Sequence, residues 1–191
     1  MRLFFIFLSA ILVNNFVLSR FLGICPFLGV SKKISSASGM SMAVIFVMVV
    51  SSTITWFLNL LLVKMGLEFL TTIVFILVIA TLVQFIEFYI KKVSPNLYEA
   101  LGIYLPLITT NCAILGLALL NVIYNYSLIE TIVNSLGAGL GFAMALIIFS
   151  AIRERMDYYE IPEPFKGTAI ALITAGLLSM AFMGFSGLIK I

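Results

Sequence analysis

The chain has 191 residues, of which 63% are hydrophobic and only 10% are charged. Soluble domains are about half apolar and a quarter charged, so this composition excludes an ordinary soluble globular protein. The net charge of +3 comes from basic residues that stand singly or in pairs rather than in a patch, which argues against a nucleic-acid-binding surface.

Six segments without Asp, Glu, Lys or Arg follow one another along the chain, and each is about long enough to cross a bilayer core, which needs roughly 17–25 apolar residues. Backbone in hydrocarbon must satisfy its own hydrogen bonds, so these segments predict helices. The chain is therefore predicted to be an all-α integral membrane protein with one multi-pass domain over residues 1–191. The predicted spans are 3–23, 38–63, 69–90, 100–121, 130–152 and 168–189.

The basic residues near the span ends predict the orientation of the chain. Cytoplasmic loops of membrane proteins carry an excess of Lys and Arg, which places the loops after spans one, three and five in the cytoplasm and both termini outside. Arg2 before an apolar run could instead indicate a signal peptide, but we find no convincing small-residue cleavage site and five spans follow. The cytoplasmic side then has Lys32, Lys33, Lys91, Lys92, Arg153, Arg155 and Lys166, and the outer side has Arg2, Lys64 and Lys190.

An internal repeat relates the two halves of the chain, about 1–92 and 93–191. The sequence CPFLG begins at Cys25 near the end of span one, and CAILG begins at Cys112 in span four. Three spans separate the two copies, and an odd number of crossings inverts the second half. The pattern predicts a 3+3 inverted-topology repeat with a pseudo-two-fold axis in the membrane plane.

Residues that interrupt helices lie close to both copies of the repeat, so the first helix of each half is predicted to be broken. Two interrupted segments related by an in-plane axis would meet near the middle of the bilayer. Cys25 and Cys112 would then face one another. The interrupting residues are Ser19, Arg20, Gly23 and Pro26 in the first copy, and Gly102, Pro106 and residues 109–111 in the second.

The two cysteines allow three interpretations. Each could be a small buried apolar residue, the pair could form a disulfide if it faced an oxidising compartment, or the thiolates could bind a metal. The chain has no histidine, which excludes His-ligated haem and argues against zinc catalysis. A 2Fe–2S cluster takes four protein ligands, so a cluster at these cysteines would need two ligands from another chain.

Polar residues within the spans are further candidates. Asn14, Asn15 and Asn59 could line an ion path, whereas the hydroxyl run 51–55 is interpreted as packing between helices. Thr110 and Asn111 adjoin Cys112 and are predicted to surround the site, as is Pro26 beside Cys25. Glu87 and Lys91 are predicted to form an ion pair within one helix. Gly137 and Gly141 are predicted to allow close packing of two helices. Residues 153–166 are predicted to form an exposed loop, which is either a solvated connector or a docking surface for a peripheral subunit.

Several runs closely resemble the A-subunit family of the bacterial Rnf complex, an ion-translocating ferredoxin:NAD oxidoreductase. The family is related to the E subunit of the sodium-translocating NADH:quinone oxidoreductase, and the resemblance covers essentially the whole chain. The runs are VNNFVL at 13–18, FLGICPFLGVSKK at 21–33, LPLITTNC at 105–112, AIRER at 151–155, AIALITAG at 169–176 and AFMGFSG at 181–187.

The resemblance implies a six-helix subunit of the bacterial inner membrane that pairs with a homologous subunit, RnfE. In this family the cysteines matching Cys25 and Cys112, with two from RnfE, hold a 2Fe–2S cluster that relays electrons across the membrane. Sodium or proton transport is coupled to that transfer. The implied partners are RnfE, the B, C, D and G subunits, and lipid; covalent flavin is not expected on this chain.

Three alternatives remain open at this point. The chain could be the equivalent subunit of the sodium-translocating NADH:quinone oxidoreductase, a cofactor-free transporter built from inverted repeats, or a structural membrane scaffold. The transporter alternative predicts that Cys25→Ser is tolerated, and the scaffold alternative predicts that both cysteines can be replaced without loss of electron transfer.

Overall fold

The computed structural model describes residues 2–93, 107–108, 110–159, 162 and 165–185. Within these residues the regular elements are all helices. They are α1 (Arg2–Leu8), which continues as a π-helical turn (Ser9–Val13), α2 (Ile24–Val30), α3 (Ile34–Met65), a 3₁₀ turn (Glu68–Leu70), α4 (Thr71–Val93), α5 (Cys112–Ile123), α6 (Leu128–Met156) and α7 (Thr168–Met183).

Three helical segments of the described chain are long and apolar enough to cross a membrane: Ile34–Met65, Glu68–Phe88 and Leu128–Met156. Three further apolar helical segments are shorter, Arg2–Val13, Cys112–Ile123 and Thr168–Met183. The all-α, apolar character predicted from the sequence is confirmed. The count of six spans in a 3+3 repeat stays a prediction, because much of the predicted span 100–121, with Gly102 and Pro106, lies outside the described residues.

The core of the protein forms where α3 and α6 pack along one another, with α5 against α3 and α1 against α6. One end of this core contains a stack of two aromatic rings, Phe27 of α2 on Phe149 of α6, with centroids 4.2 Å apart. Large side chains that are fully buried include Met40, Val44, Met48, Phe75, Ile114, Leu117, Phe142 and Leu146. Through the Phe27–Phe149 stack, the short helix α2 is fixed to one end of the core.

The first predicted span is interrupted between Val13 and Ile24, as the repeat predicted. The N–H of Asn14 donates to Ser9 O over 2.8 Å, which closes the π turn. Pro26 does not cause this break, contrary to the prediction. It lies in the first turn of α2, where a helix needs no N–H donor and tolerates proline.

Asn15 satisfies the irregular backbone that follows the π turn. Its Nδ2 donates to Gly141 O over 2.9 Å, and its Oδ1 accepts from the N–H groups of Val17 and Leu18 at 3.1 and 3.3 Å. The residue is fully buried. Asn15 thus has a structural role at this break, because non-helical backbone at membrane depth must find partners within the protein.

Gly137 and Gly141 of α6 allow the close approach of α1 and the π turn, as predicted. A Cβ built on Gly137 would lie 3.0 Å from Phe7 O, and one on Gly141 would lie 3.1 Å from Ile11 O and 3.2 Å from Ala10 O. These neighbours are backbone atoms, so a larger side chain can be accommodated only if the two segments separate.

Gly141→Ala is expected to destabilise the protein by about 1–3 kcal/mol, the usual range for overpacking. Thermal unfolding of the detergent-solubilised protein, followed by circular dichroism, would measure the change. Gly176→Ala in α7 is the matched control, because a Cβ there has no neighbour within 4 Å and alanine favours the helix. Equal unfolding temperatures for the two variants would contradict the assignment of this contact.

Candidate metal centre

Cys25 is the second residue of α2 and is exposed. The helix begins after Gly23, which has a left-handed backbone with φ of 81°. That conformation is strained for other residues and open to glycine. Pro26, in the same first turn, is buried, so it packs inward while the Cys25 thiol is accessible.

Cys112 is the first residue of α5 and is also exposed. The preceding Asn111 is the N-cap: its backbone is extended and its side-chain oxygen accepts from the N–H of Ala113 over 3.0 Å. Thr110 lies in the turn before the cap and is exposed. A new helix thus begins one residue before Cys25 and at Cys112 itself.

The structure brings the starts of these two helices together. The N–H of Gly23 donates to Cys112 Sγ over 2.9 Å, so the sulfur of one cysteine contacts a residue two positions before the other. Asn111 and Ala113 also lie against Gly23, at 3.3 and 3.2 Å from where its Cβ would be. Two segments 89 residues apart in sequence therefore form one local site.

Chemically, the site offers two soft sulfur ligands. Both cysteines are free thiols, and each lies in the first turn of a helix, where the helix dipole favours negative charge. In the part of the chain that the structure describes, no group of three or more His, Cys, Asp or Glu residues could hold a metal. A four-ligand centre at this position would therefore need donors from a second chain.

An orphaned donor beside Cys112 fits such a centre. Asn111 is 4% exposed, and its Nδ2 has no hydrogen-bond partner although its Oδ1 is bonded. A buried amide donor without a partner costs free energy. Donors of this kind stabilise the sulfur atoms of iron–sulfur clusters, so the residues present are compatible with a cluster.

Arg153 of α6 holds the opposite end of α2, a contact that no sequence pattern indicated. One Nη donates to Leu28 O over 2.8 Å and to Ser31 Oγ over 2.7 Å, and the guanidinium lies 5.8 Å from the centre of the Phe149 ring. Leu28 O is one of the terminal helix carbonyls, which favour cationic partners. Arg153 therefore fixes the helix that carries Cys25.

Arg153→Gln is expected to cost about 1.5–3 kcal/mol, the usual contribution of hydrogen bonds to a charged group. The measurement is thermal unfolding of the solubilised protein. Arg155→Gln serves as control, because Arg155 lies two residues further along α6 and is exposed. A similar small effect in both variants would show that Arg153 is only a surface charge.

The other polar residues singled out in the sequence are distributed among different contacts. Ser51, Thr53 and Thr55 each donate to a carbonyl four residues earlier in α3, so these bonds stay within the helix and do not link it to another. Asn14 donates to Ser9 Oγ over 3.0 Å. The side chain of Lys91 lies outside the described residues, and the predicted Glu87–Lys91 pair stays a prediction.

Comparison with known proteins gives a consistent assignment. The family described as "Rnf-Nqr subunit, membrane protein" matches residues 3–189. A protein of Acetobacterium woodii, named as the A subunit of the Na(+)-translocating ferredoxin:NAD(+) oxidoreductase complex, is 58% identical, over 98% of each chain. Proteins named as the A subunit of the ion-translocating oxidoreductase complex are 57% identical in Syntrophotalea carbinolica, over 98% of each chain, and 55% identical in Serratia proteamaculans, over 97% of this chain and 96% of the relative. The chain therefore belongs to the Rnf-Nqr family of membrane subunits.

Proposed function

We propose that this chain is the A subunit of an ion-translocating ferredoxin:NAD oxidoreductase, in which it relays electrons through the membrane. The names of relatives that match nearly the whole chain support this function. The observation that carries the site is the hydrogen bond from the Gly23 N–H to Cys112 Sγ, since it joins the two cysteine segments. Cys25 and Cys112 are proposed to supply two of the four ligands of a 2Fe–2S cluster.

The exposure of both thiols supports a cluster shared between two chains. Both thiols are free and exposed on this chain, so ligands from a second chain could reach a metal bound to them. A homologous subunit, RnfE, would present its own pair of cysteines to them. The 3+3 inverted repeat belongs to the same proposal, because pseudo-symmetry in each subunit would let two similar chains meet around one centre.

When bound, a 2Fe–2S cluster supplies one-electron transfer. The thiolates of Cys25 and Cys112 would hold the iron of this cluster. The Gly23 N–H donates to the sulfur of Cys112. The Nδ2 of Asn111 is available as a second donor. Donors and helix N-termini favour added negative charge, and together they raise the potential at which the site accepts an electron.

Orientation and further partners complete the proposal. The loops with Lys32 and Arg153 face the cytoplasm and the termini lie outside, according to the positive-inside rule. The charged loop after α6 would meet a cytoplasmic subunit of the complex, and RnfB, RnfC, RnfD and RnfG are the candidate neighbours. The membrane would be the bacterial inner membrane, with sodium ions or protons as the transported ions.

The test is electron paramagnetic resonance, with iron and sulfide analysis, on this chain co-purified with its membrane partners. After chemical reduction, the complex is expected to show a 2Fe–2S signal, with iron and sulfide bound to the membrane subunits. If the intact, active complex has no such signal, the cysteines hold no cluster, and a cofactor-free transporter becomes the better account of this fold.

A further inference from the structure

A cavity with a mixed polar and apolar lining lies between α3 and α5, away from the two cysteines. It has a volume of about 180 Å³, which is room for about six water molecules at roughly 30 Å³ each. It reaches the surface at Asn125, which is exposed, and extends inward to Ser52. Its hydroxyl and amide lining consists of Ser52, Thr55, Asn59, Asn121, Asn125 and Tyr126.

Two of these lining residues have buried polar atoms without a partner. Ser52 is 1% exposed and its Oγ makes no hydrogen bond; Asn121 is 5% exposed and its Nδ2 makes none. The Oδ1 of Asn121 accepts from Asn134 over 2.7 Å. Unpaired polar groups are costly at membrane depth. The Ser52 oxygen can contact a cation, whereas the Asn121 Nδ2 can only donate, so these two atoms together suit a cation that keeps part of its hydration water.

The neighbouring Ser51 shows that this arrangement is particular to the cavity. It is also 1% exposed, but its Oγ donates to Val47 O over 2.6 Å and it does not line the cavity. Ser51 and Ser52 are thus equally buried, but only Ser52 lines the cavity and only Ser52 has a hydroxyl without a partner.

The chemistry of the lining favours a metal cation over a proton. The cavity-lining residues are uncharged, and their oxygens are the ligands that hard cations prefer. Tyr126 is the titratable residue among them. Burial, and then the nearby Tyr124 and Glu130, raise its pKa above the ordinary value of 10.0, so its phenol stays protonated near neutral pH and exchanges no proton there.

The position of the cavity connects it to the candidate metal centre. Asn121 and Cys112 belong to the same helix, α5, and nine residues of helix separate their α-carbons by about 14 Å. Ser52 lies about 20 Å from the end of α3 on the same rise per residue, which is deep in a bilayer core of about 30 Å. At an effective dielectric constant of about 20, one added negative charge at that distance would tighten cation binding roughly sevenfold.

We infer that this cavity binds a monovalent metal cation, Na⁺, and belongs to the ion path of the complex. The inference rests on the proposed function and adds a binding site to it. The Ser52 hydroxyl and the other lining oxygens replace part of the hydration shell of the ion, and the Asn121 N–H donates to a water molecule that the ion keeps. The loop over the cavity is held by Trp56, whose Nε1 donates to Tyr126 O over 2.9 Å.

The first test is cysteine labelling in sealed vesicles that contain the whole complex. Ser52→Cys is expected to react with a small, membrane-impermeant methanethiosulfonate added on the Asn125 side, and Na⁺ should slow the reaction several-fold relative to choline. Ser51→Cys should stay unlabelled, and the native complex gives the background from Cys25 and Cys112. An unreactive Ser52→Cys, or equal rates in Na⁺ and choline, would overturn the inference, the latter by showing a cavity that holds only water.

The second test measures transport by the reconstituted complex as Na⁺ concentration is varied. Ser52→Ala is expected to raise the apparent KM for Na⁺ about tenfold, as for the loss of one ligand to a charged group. Ser51→Ala should change it less than about twofold, and both variants should retain the 2Fe–2S signal. If Ser52→Ala leaves the KM for Na⁺ unchanged while the 2Fe–2S signal is present, the sodium site is wrong and the proposed function still stands. Turnover that does not depend on Na⁺ has the same meaning. Absence of the signal from the native complex defeats the proposed function instead.

Discussion

Cys112→Ser and Cys25→Ser are each expected to remove the 2Fe–2S signal from the purified complex and to lower its ferredoxin:NAD electron transfer at least about a hundredfold, the upper end of what loss of a residue around the ligands costs. Serine has nearly the same shape, but its hydroxyl is a poor ligand for iron, which prefers thiolates in clusters. Both side chains are exposed in the isolated chain, so little packing energy is lost. The measurements are electron paramagnetic resonance and turnover, made on complexes shown to be intact by size-exclusion chromatography.

Ser38→Ala provides a control for these cysteine variants. Ser38 is exposed on α3 and its hydroxyl donates only to Ser35 O in its own helix. We expect the signal and turnover of this variant to match those of the native complex. Intact cysteine variants that kept both properties would instead assign the cysteines to packing and leave the transporter and scaffold alternatives.

Gly23→Ala is expected to have the second largest effect, because two costs coincide at this position. With φ at 81°, any L side chain adds about 1–2 kcal/mol of backbone strain. The added Cβ would also lie 3.0 Å from Phe142 Cε2 and 3.2 Å from Ala113 Cβ, which adds about 1–3 kcal/mol of overpacking. Relief of that crowding would move α2 away from α5 and weaken the N–H bond to Cys112 Sγ.

Gly66→Ala separates the strain from the crowding. Gly66 ends α3 in the same left-handed conformation, with φ of 69°, and a Cβ there has no neighbour within 4 Å. Thermal unfolding should therefore show a loss of about 1–2 kcal/mol for Gly66→Ala and a clearly larger one for Gly23→Ala. The cluster signal should weaken only in the latter, and equal effects in both would mean that the Gly23 contact has no part in the site.

The charge-free segments predicted the helical, membrane-spanning character of the chain. Charged side chains are costly in lipid, so spans can be recognised from their composition without knowledge of any contact. The repeated cysteine segments likewise predicted an interruption before Cys25. The detailed form of that interruption was not predictable. Pro26 serves equally as a helix breaker or as a first-turn residue, and only the conformation of Gly23 decides between the two.

Contacts between distant residues account for what the sequence could not predict. The sequence marks Arg153 only as a topology signal, but its side chain binds Ser31, at the end of a helix 122 residues earlier. The Asn121–Asn134 pair joins two helices across a turn, and neither residue belongs to a recognisable motif. The hydroxyl run 51–55 reads as one unit in the sequence, whereas hydrogen bonding distinguishes Ser52, which has no partner, from Ser51 and Thr55, which are equally buried and bonded. Each of these depends on how helices face one another in space.

The short helix α2 is clamped at both ends, by Cys112 through the Gly23 N–H and by Arg153 through Leu28 O. Its seven residues form a rod about 10 Å long, too short to bend appreciably. We therefore expect α2 to move as a rigid body, so that a displacement at one of these contacts also displaces the other. Arg153 lies three residues before the end of Leu128–Met156, so we expect a displacement at the cysteines to be felt close to the loop that follows α6.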